Sequence, residues 1–369
     1  MKYTGVTARG IISPVFKKGD DLVADVCNSV LQASSGEGFA IEDGDIIGIT
    51  ESVVARTQGN YATCAQIAAD VRAKTGGKTV GLVFPILSRN RFSILLRGIA
   101  QGCEKLVVQL SYPADEVGNA LLSWDALDEA GVNPYHDSFD EAQFRARFGQ
   151  DTIHPFTGVD YIDFYKSFGG HIDVVFSNDP AHILEYTDTV ICCDIHTRHR
   201  TKRRIVAAGG KVVLCLDEIL NRSVDGSGYN PDYGLLGSNM STPDTVKLFP
   251  RDCGTLVERM QAAIKQRTGA TVEVLVYGDG CFKDPVGGIW ELADPVVSPA
   301  YTSRLEGTPN ELKMKYFADN ELEALSGEAL ADAMRAQIRR KDENLVGQMA
   351  AQGTTPRRYS DLVGSLCDL

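Results

Sequence analysis

Between residues 106 and 216 the chain repeats one pattern, and that pattern restricts its fold more than any other feature. Strand-like runs, Leu106–Leu110, Ile172–Phe176, Thr189–Cys193 and Lys211–Leu216, alternate with helical spacing, notably at Pro180–Tyr186 and Arg198–Ala208. Apolar strands separated by helices predict βαβ units and a parallel sheet. The stretch 113–170 interrupts the rhythm. It is acidic and aromatic, and it reads as irregular. Residues 81–229 therefore read as an α/β domain inserted into a discontinuous core of residues 1–80 and 230–369, giving an α/β (α+β) fold overall.

The flanks have a different texture. Thr4–Ile12 reads as an edge strand, Ser13–Phe16 as a loop, and Leu22–Gln32 as a helix with Asp20 and Asp21 at its positive end. Ile41–Asp45 reads as a tight turn feeding an apolar strand, Ile46–Ile49. Thr50, Glu51 and Ser52 follow, then a helix or turn carrying Arg56 and Gly59, and a helix over Ala62–Lys74. Downstream, Pro231–Asn239 is a glycine-rich loop. Thr255–Arg267 is an amphipathic helix closed by Gly269, Val272–Tyr277 is a strand, and Glu311–Gln352 is largely helical.

Hydrophobic residues make up 43% of the 369, enough for a sizeable core. The net charge of −12 argues against general nucleic-acid binding, because no global positive field exists to release counterions. The nine cysteines are scattered, with no CxxC pair, and several sit in apolar runs. They read as reduced thiols of a cytoplasmic protein, neither a disulfide framework nor a zinc site. The amino terminus has no apolar signal-like region, and no run reaches the ~20 apolar residues of a membrane span. No membrane partner is expected.

Two blocks flanking the middle segment resemble the coenzyme F-420 γ-glutamyl ligases. The first runs from Pro14-Val15-Phe16-Lys17-Lys18-Gly19-Asp20-Asp21-Leu22 through Glu42-Asp43-Gly44-Asp45 to Val53-Val54-Ala55-Arg56-Thr57-Gln58-Gly59. The second holds Gly234-Leu235-Leu236-Gly237-Ser238-Asn239, the helix end at Thr268-Gly269 and the turn Tyr277-Gly278-Asp279-Gly280. The resemblance implies an intertwined homodimer with the site near the interface. It assigns Ser13, Pro14, Val15, Phe16, Glu51, Ser52, Arg56 and Asn239 to nucleotide (GTP) contacts, and Asp279 to a divalent cation. This sequence departs from the family at three points. Arg56 stands where the family has lysine, keeping the charge but changing its geometry. Leu236 stands where it has a metal-binding aspartate, with Asp232 nearby as a substitute. The family's closing G-E-G-x-D-G-I-P loop has no counterpart up to Leu369.

The residues themselves suit phosphoryl chemistry. A ligase of this kind phosphorylates a carboxylate and lets an amine displace the phosphate. That demands positioned cations: Mg²⁺ or Mn²⁺ on carboxylates, and Arg or Lys clamps. Asp279 and Asp284 supply carboxylates, Gly278 and Gly280 allow close backbone approach, and Lys283 offers a phosphate contact. An ordinary D-G hairpin turn is the alternative. Trp290 reads as core packing before base stacking. In the middle segment, His196, Arg198, Arg200 and Lys202 follow a strand and open a helix, a place for a phosphate or carboxylate. The alternative there is a solvated basic face, or one paired with a partner subunit's acids.

The expected function is an NTP- and divalent-metal-dependent amide ligase of γ-glutamyl type, with GTP as co-substrate and a small carboxylate and an amino acid as partners. A catalytically degenerate nucleotide- or anion-binding regulator on the same fold is the alternative. A dinucleotide enzyme is disfavoured, since no glycine-rich phosphate fingerprint follows any strand of the middle segment.

Overall fold

The computed structural model describes residues 5–88, 91–149, 152–154, 158–278, 296–308, 311–351 and 357–367. Gly5 to Lys17 carry no regular structure, and Gly5 to Gly10 are exposed. The edge strand expected over Thr4–Ile12 is thus absent among the described residues. Its alternation favours an extended chain, but no strand among the described residues pairs with it.

Helix α1 (Leu22–Glu37) begins at Asp21, whose carboxylate accepts from Ala24 N, and ends at Gly38 with φ 70°. Strand β1 (Ile46–Thr50) follows. Thr50 ends this strand and caps α2 (Glu51–Gln58) by accepting from Val53 N at 3.3 Å. Strand β2 (Tyr61–Thr63) runs into α3 (Cys64–Thr75) through a capping box of Thr63 and Gln66. Then come β3 (Thr79–Val83), α4 (Phe92–Gln101) and β4 (Lys105–Leu110). The stretch read as irregular holds α5 (Trp124–Ala130), β5 (Phe139–Asp140), α6 (Glu141–Phe148) and α7 (Tyr161–Lys166). Strand β6 (Ile172–Phe176), a 3-10 turn over Pro180–Glu185, β7 (Thr189–Cys192), α8 (Arg198–Ala207) and β8 (Val212–Cys215) complete the middle segment.

These strands form a six-stranded sheet, order β5-β6-β4-β3-β7-β8, parallel except for the short β5. The chain builds outward from β3 through β4 to β6, then returns to β7 on the other side of β3. Beyond it, β9 (Asn239–Thr242) and β10 (Thr245–Lys247) join β2 in a small antiparallel sheet. Helix α9 (Cys253–Thr268) leads to β11 (Glu273–Tyr277), which pairs in parallel with β1 and antiparallel with β12 (Ala300–Tyr301). Helices α10 (Met314–Asp319), α11 (Gly327–Arg340) and α12 (Tyr359–Cys367) follow. The architecture is mixed α/β.

Three apolar clusters hold the elements. The largest runs from α3 and α4 across the six-stranded sheet to Leu235, Leu236, Val246 and Leu248. Its aromatic part explains the acidic-aromatic stretch, because Phe144 stacks on Phe176 at 3.7 Å with Tyr112 and Phe148 against it. Truncating such a ring to alanine costs about 3–5 kcal/mol. A second cluster packs α1 and α9 on β1 and β11, and a third lies under α8. No helix among the described residues is long and apolar enough to cross a membrane.

Candidate functional site

Strands β1 and β11 are far apart in sequence but run in register, Ile46 opposite Glu273 and Thr50 opposite Tyr277. Being parallel, they end at the same edge. From β1 the chain passes directly into Glu51, Ser52 and α2. From β11 it passes to Gly278, whose N–H donates to Val297 O at 2.8 Å, and on to Asp279. Asp279, Lys283, Asp284 and Trp290 lie outside the described residues.

Two further segments contact α2, the helix that leaves this edge. Arg56 Nε donates to the Phe16 carbonyl at 2.7 Å, and Gly19 N donates to Thr57 O at 2.9 Å, so the loop of Ser13 to Phe16 is pinned to α2. Phe16 is buried, while Ser13, Pro14 and Val15 are exposed. Lys247 of β10 comes from the other side. Its ammonium lies 3.0 and 3.2 Å from the two Glu51 carboxylate oxygens and 2.8 Å from Ser52 Oγ. Register sets Asn239 of β9 opposite Lys247. Ser52 and Arg56, four residues apart on α2, share a helix face. The structure therefore ties Phe16 to Arg56, and Glu51 and Ser52 to Lys247, whose cross-strand neighbour is Asn239. Sequence reasoning missed Lys247. Its signal was a charged residue in the otherwise apolar run Val246-Lys247-Leu248-Phe249.

The four basic residues singled out in the middle segment lie at the carboxyl edge of the six-stranded sheet, and two of them are already engaged. Arg198 Nε donates to Asp217 Oδ2 at 2.6 Å, and its guanidinium also reaches the Ile195 carbonyl. Lys202 Nζ donates to Glu218 Oε2 at 2.5 Å. His196 and Arg200 are exposed. The backbone N–H groups of Ile195 and His196 both point at the Glu116 carboxylate, so an internal anion sits where α8 begins. Beside it, Asp194 is 1% exposed and accepts from the Thr197 and Thr201 hydroxyls at 2.6 and 2.8 Å. Burial pushes the carboxyls of Glu116 and Asp194 above their ordinary range, and that of Asp115 up to about 6. Among the described residues, Cys215, Asp217 and Glu218 alone cluster tightly enough to hold a metal. Arg198 and Lys202 already neutralise the two carboxylates, which weakens any attraction for a second cation.

The sequence profile of the F420-0:gamma-glutamyl ligase family matches residues 10–369, both flanks and the six-stranded unit together. The chain belongs to this family. No curated protein and no solved structure matches the chain. Membership in the F420-0:gamma-glutamyl ligase family makes it a ligase acting on small molecules, at that level of description.

Leu236, which the resemblance sets where the family has a metal-binding aspartate, is 2% exposed and packed in the main core. Asp232 is exposed, and its N–H is tied to Asn230 Oδ1 at 2.9 Å. Gly234 brings this loop against the end of the six-stranded sheet. At φ 50° it lies so close that an added Cβ would stand 2.4 Å from the Ile219 carbonyl oxygen and 2.5 Å from that of Asp217. The glycine-rich loop thus links the Lys247 region to the Arg198 region.

Proposed function

We propose that the chain is an NTP- and divalent-cation-dependent amide ligase of the γ-glutamyl type. A substrate carboxylate oxygen attacks the γ-phosphorus of GTP, releasing GDP and leaving an acyl phosphate. The amine of an amino acid such as glutamate then attacks the acyl carbon, phosphate departs, and the nitrogen loses its proton to give the amide. One observation carries this reading: the parallel pairing of β1 with β11. It sets Glu51 and Ser52 beside the end of β11, from which the chain continues toward Asp279, while Arg56, in the last turn of α2, holds the Phe16 loop.

In this reading Arg56 and Lys247 supply positive charge to the triphosphate, and Ser52 and Asn239 supply polar contacts. When bound, Mg²⁺ or Mn²⁺ neutralises phosphate charge. Its carboxylates are assigned to Asp279 and Asp284, with Asp232 as a further candidate. Lys283 is assigned a phosphate contact. The basic group of His196, Arg198, Arg200 and Lys202 is assigned to an anionic substrate, which would have to compete with Glu116, Asp217 and Glu218 for it. The protein acts as a homodimer.

The test is a reaction of the full chain with GTP, Mn²⁺, glutamate and F420-0. The proposal expects GDP, phosphate and amide in equal amounts, with turnover requiring both acceptor and amine. The buried Leu236 favours a second reading, a nucleotide-binding protein without catalysis. Saturable GTP binding with no GDP formed would decide for that reading.

A further inference from the structure

Lys247 is the one charged residue of β10, a strand of three residues. Its side chain is 9% exposed and that of its partner Glu51 is 4% exposed. A buried pair of this kind adds little stability over apolar side chains of the same shape, since desolvating both charges offsets their attraction. Packing alone is therefore a poor reason for its presence.

Its position supplies a better one. The ammonium meets three oxygens, two from Glu51 and one from Ser52, at the edge where β1 and β11 end. Across β9 and β10 it stands opposite Asn239. Ser52 lies in the first turn of α2, at the positive end of the helix dipole, which favours negative charge. Ser52 Oγ and the positive end of α2 suit a phosphate, whereas Glu51 would repel one.

We propose that Lys247 is a phosphate-binding residue of the candidate nucleotide site, and that in the free protein the Glu51 carboxylate occupies its ammonium as a stand-in for phosphate oxygens. The ligand class is the polyphosphate of a nucleoside triphosphate. A lysine ammonium is a compact charge on a flexible stem, suited to moving between two acceptors. The exchange is non-covalent: Lys247 leaves one pair of oxygens and takes another. This inference rests on the proposed function, because it assumes that a triphosphate binds at this edge.

The experiment titrates GTP, guanosine and inorganic tripolyphosphate into the full chain by calorimetry. Lys247→Met alone leaves Glu51 buried without its cation and threatens folding. The double variant Glu51→Gln with Lys247→Met removes both charges together, and its folding is checked by circular dichroism. The double variant is expected to bind GTP and tripolyphosphate roughly tenfold to a hundredfold more weakly, the loss of one charge-assisted contact. Guanosine affinity should not change. The single variant Glu51→Gln, with its ammonium released, should bind tripolyphosphate more tightly than the natural protein. Undiminished GTP affinity in the double variant would overturn the role of Lys247. Weaker tripolyphosphate binding in Glu51→Gln would assign the contact to Glu51 itself and overturn the stand-in. If the natural protein binds neither GTP nor tripolyphosphate, the nucleotide reading falls and takes this inference with it.

Discussion

Asp115 shows how a single carboxyl can organise two loops at a cost that depends on pH. It accepts from Leu87 N at 2.8 Å, Val117 N at 3.1 Å, Asn119 N at 2.8 Å and Asn119 Nδ2 at 3.0 Å, joining the segment after β3 to the one after β4. Those four donors favour the charged form, but burial outweighs them and pushes the carboxyl up to about 6. A carboxyl with a raised folded-state value binds its proton more tightly when folded. Its contribution to stability is therefore complete below the unfolded value near 4 and is lost as pH rises through about 6. Relative to Asp115→Asn, which cannot titrate, the natural protein should lose on the order of 2–3 kcal/mol of stability between pH 4 and pH 7. Urea unfolding at the two pH values measures this. A gap between the two proteins that stays constant would show that Asp115 titrates normally.

At the scale of elements, β4, β6, β7 and β8 were legible because strands buried on both faces are written as apolar runs. Strand β3, Thr79–Val83, was missed. It follows the Gly76-Gly77 break so closely that it fell on the boundary drawn at residue 80. Helices α5, α6 and α7 have only 7, 8 and 6 residues. Their caps, Ser123, Asp140 and Asp160, are readable in the sequence, but what fixes them is a shared aromatic core that no local window contains. The edge strand failed for the opposite reason: its local preference had no partner. The proposed nucleotide contacts come only from family resemblance. Lys247 was not, because its meaning comes from a neighbour 196 residues away. The glycine-rich loop depends on a close approach at Gly234. Gly234→Ala should destabilise the protein by about 1–3 kcal/mol or more, since it combines a left-handed backbone with contact against two carbonyls. Thermal unfolding checks this, and a melting temperature equal to that of the natural protein would mean the loop can move aside.

For the whole molecule, the parallel joining of β1 to β11 makes the two ends of the chain one structural unit. The amino-terminal segment stands outside that unit, with Val6 at 87%, Ile12 at 96% and Val15 at 77% exposure. In the proposed homodimer a second copy covers it. Removing residues 1–12 should then convert dimer to monomer in light scattering, whereas an unchanged mass would place the interface elsewhere. The central claim is that the edge shared by β1 and β11 binds a triphosphate together with its cation. Calorimetric titration of GTP in Mn²⁺ into the full chain and into Asp279→Ala tests it most directly. Saturable binding by the natural protein and none by the variant is the expected result. Equal binding by the two, or binding indifferent to Mn²⁺, would contradict it.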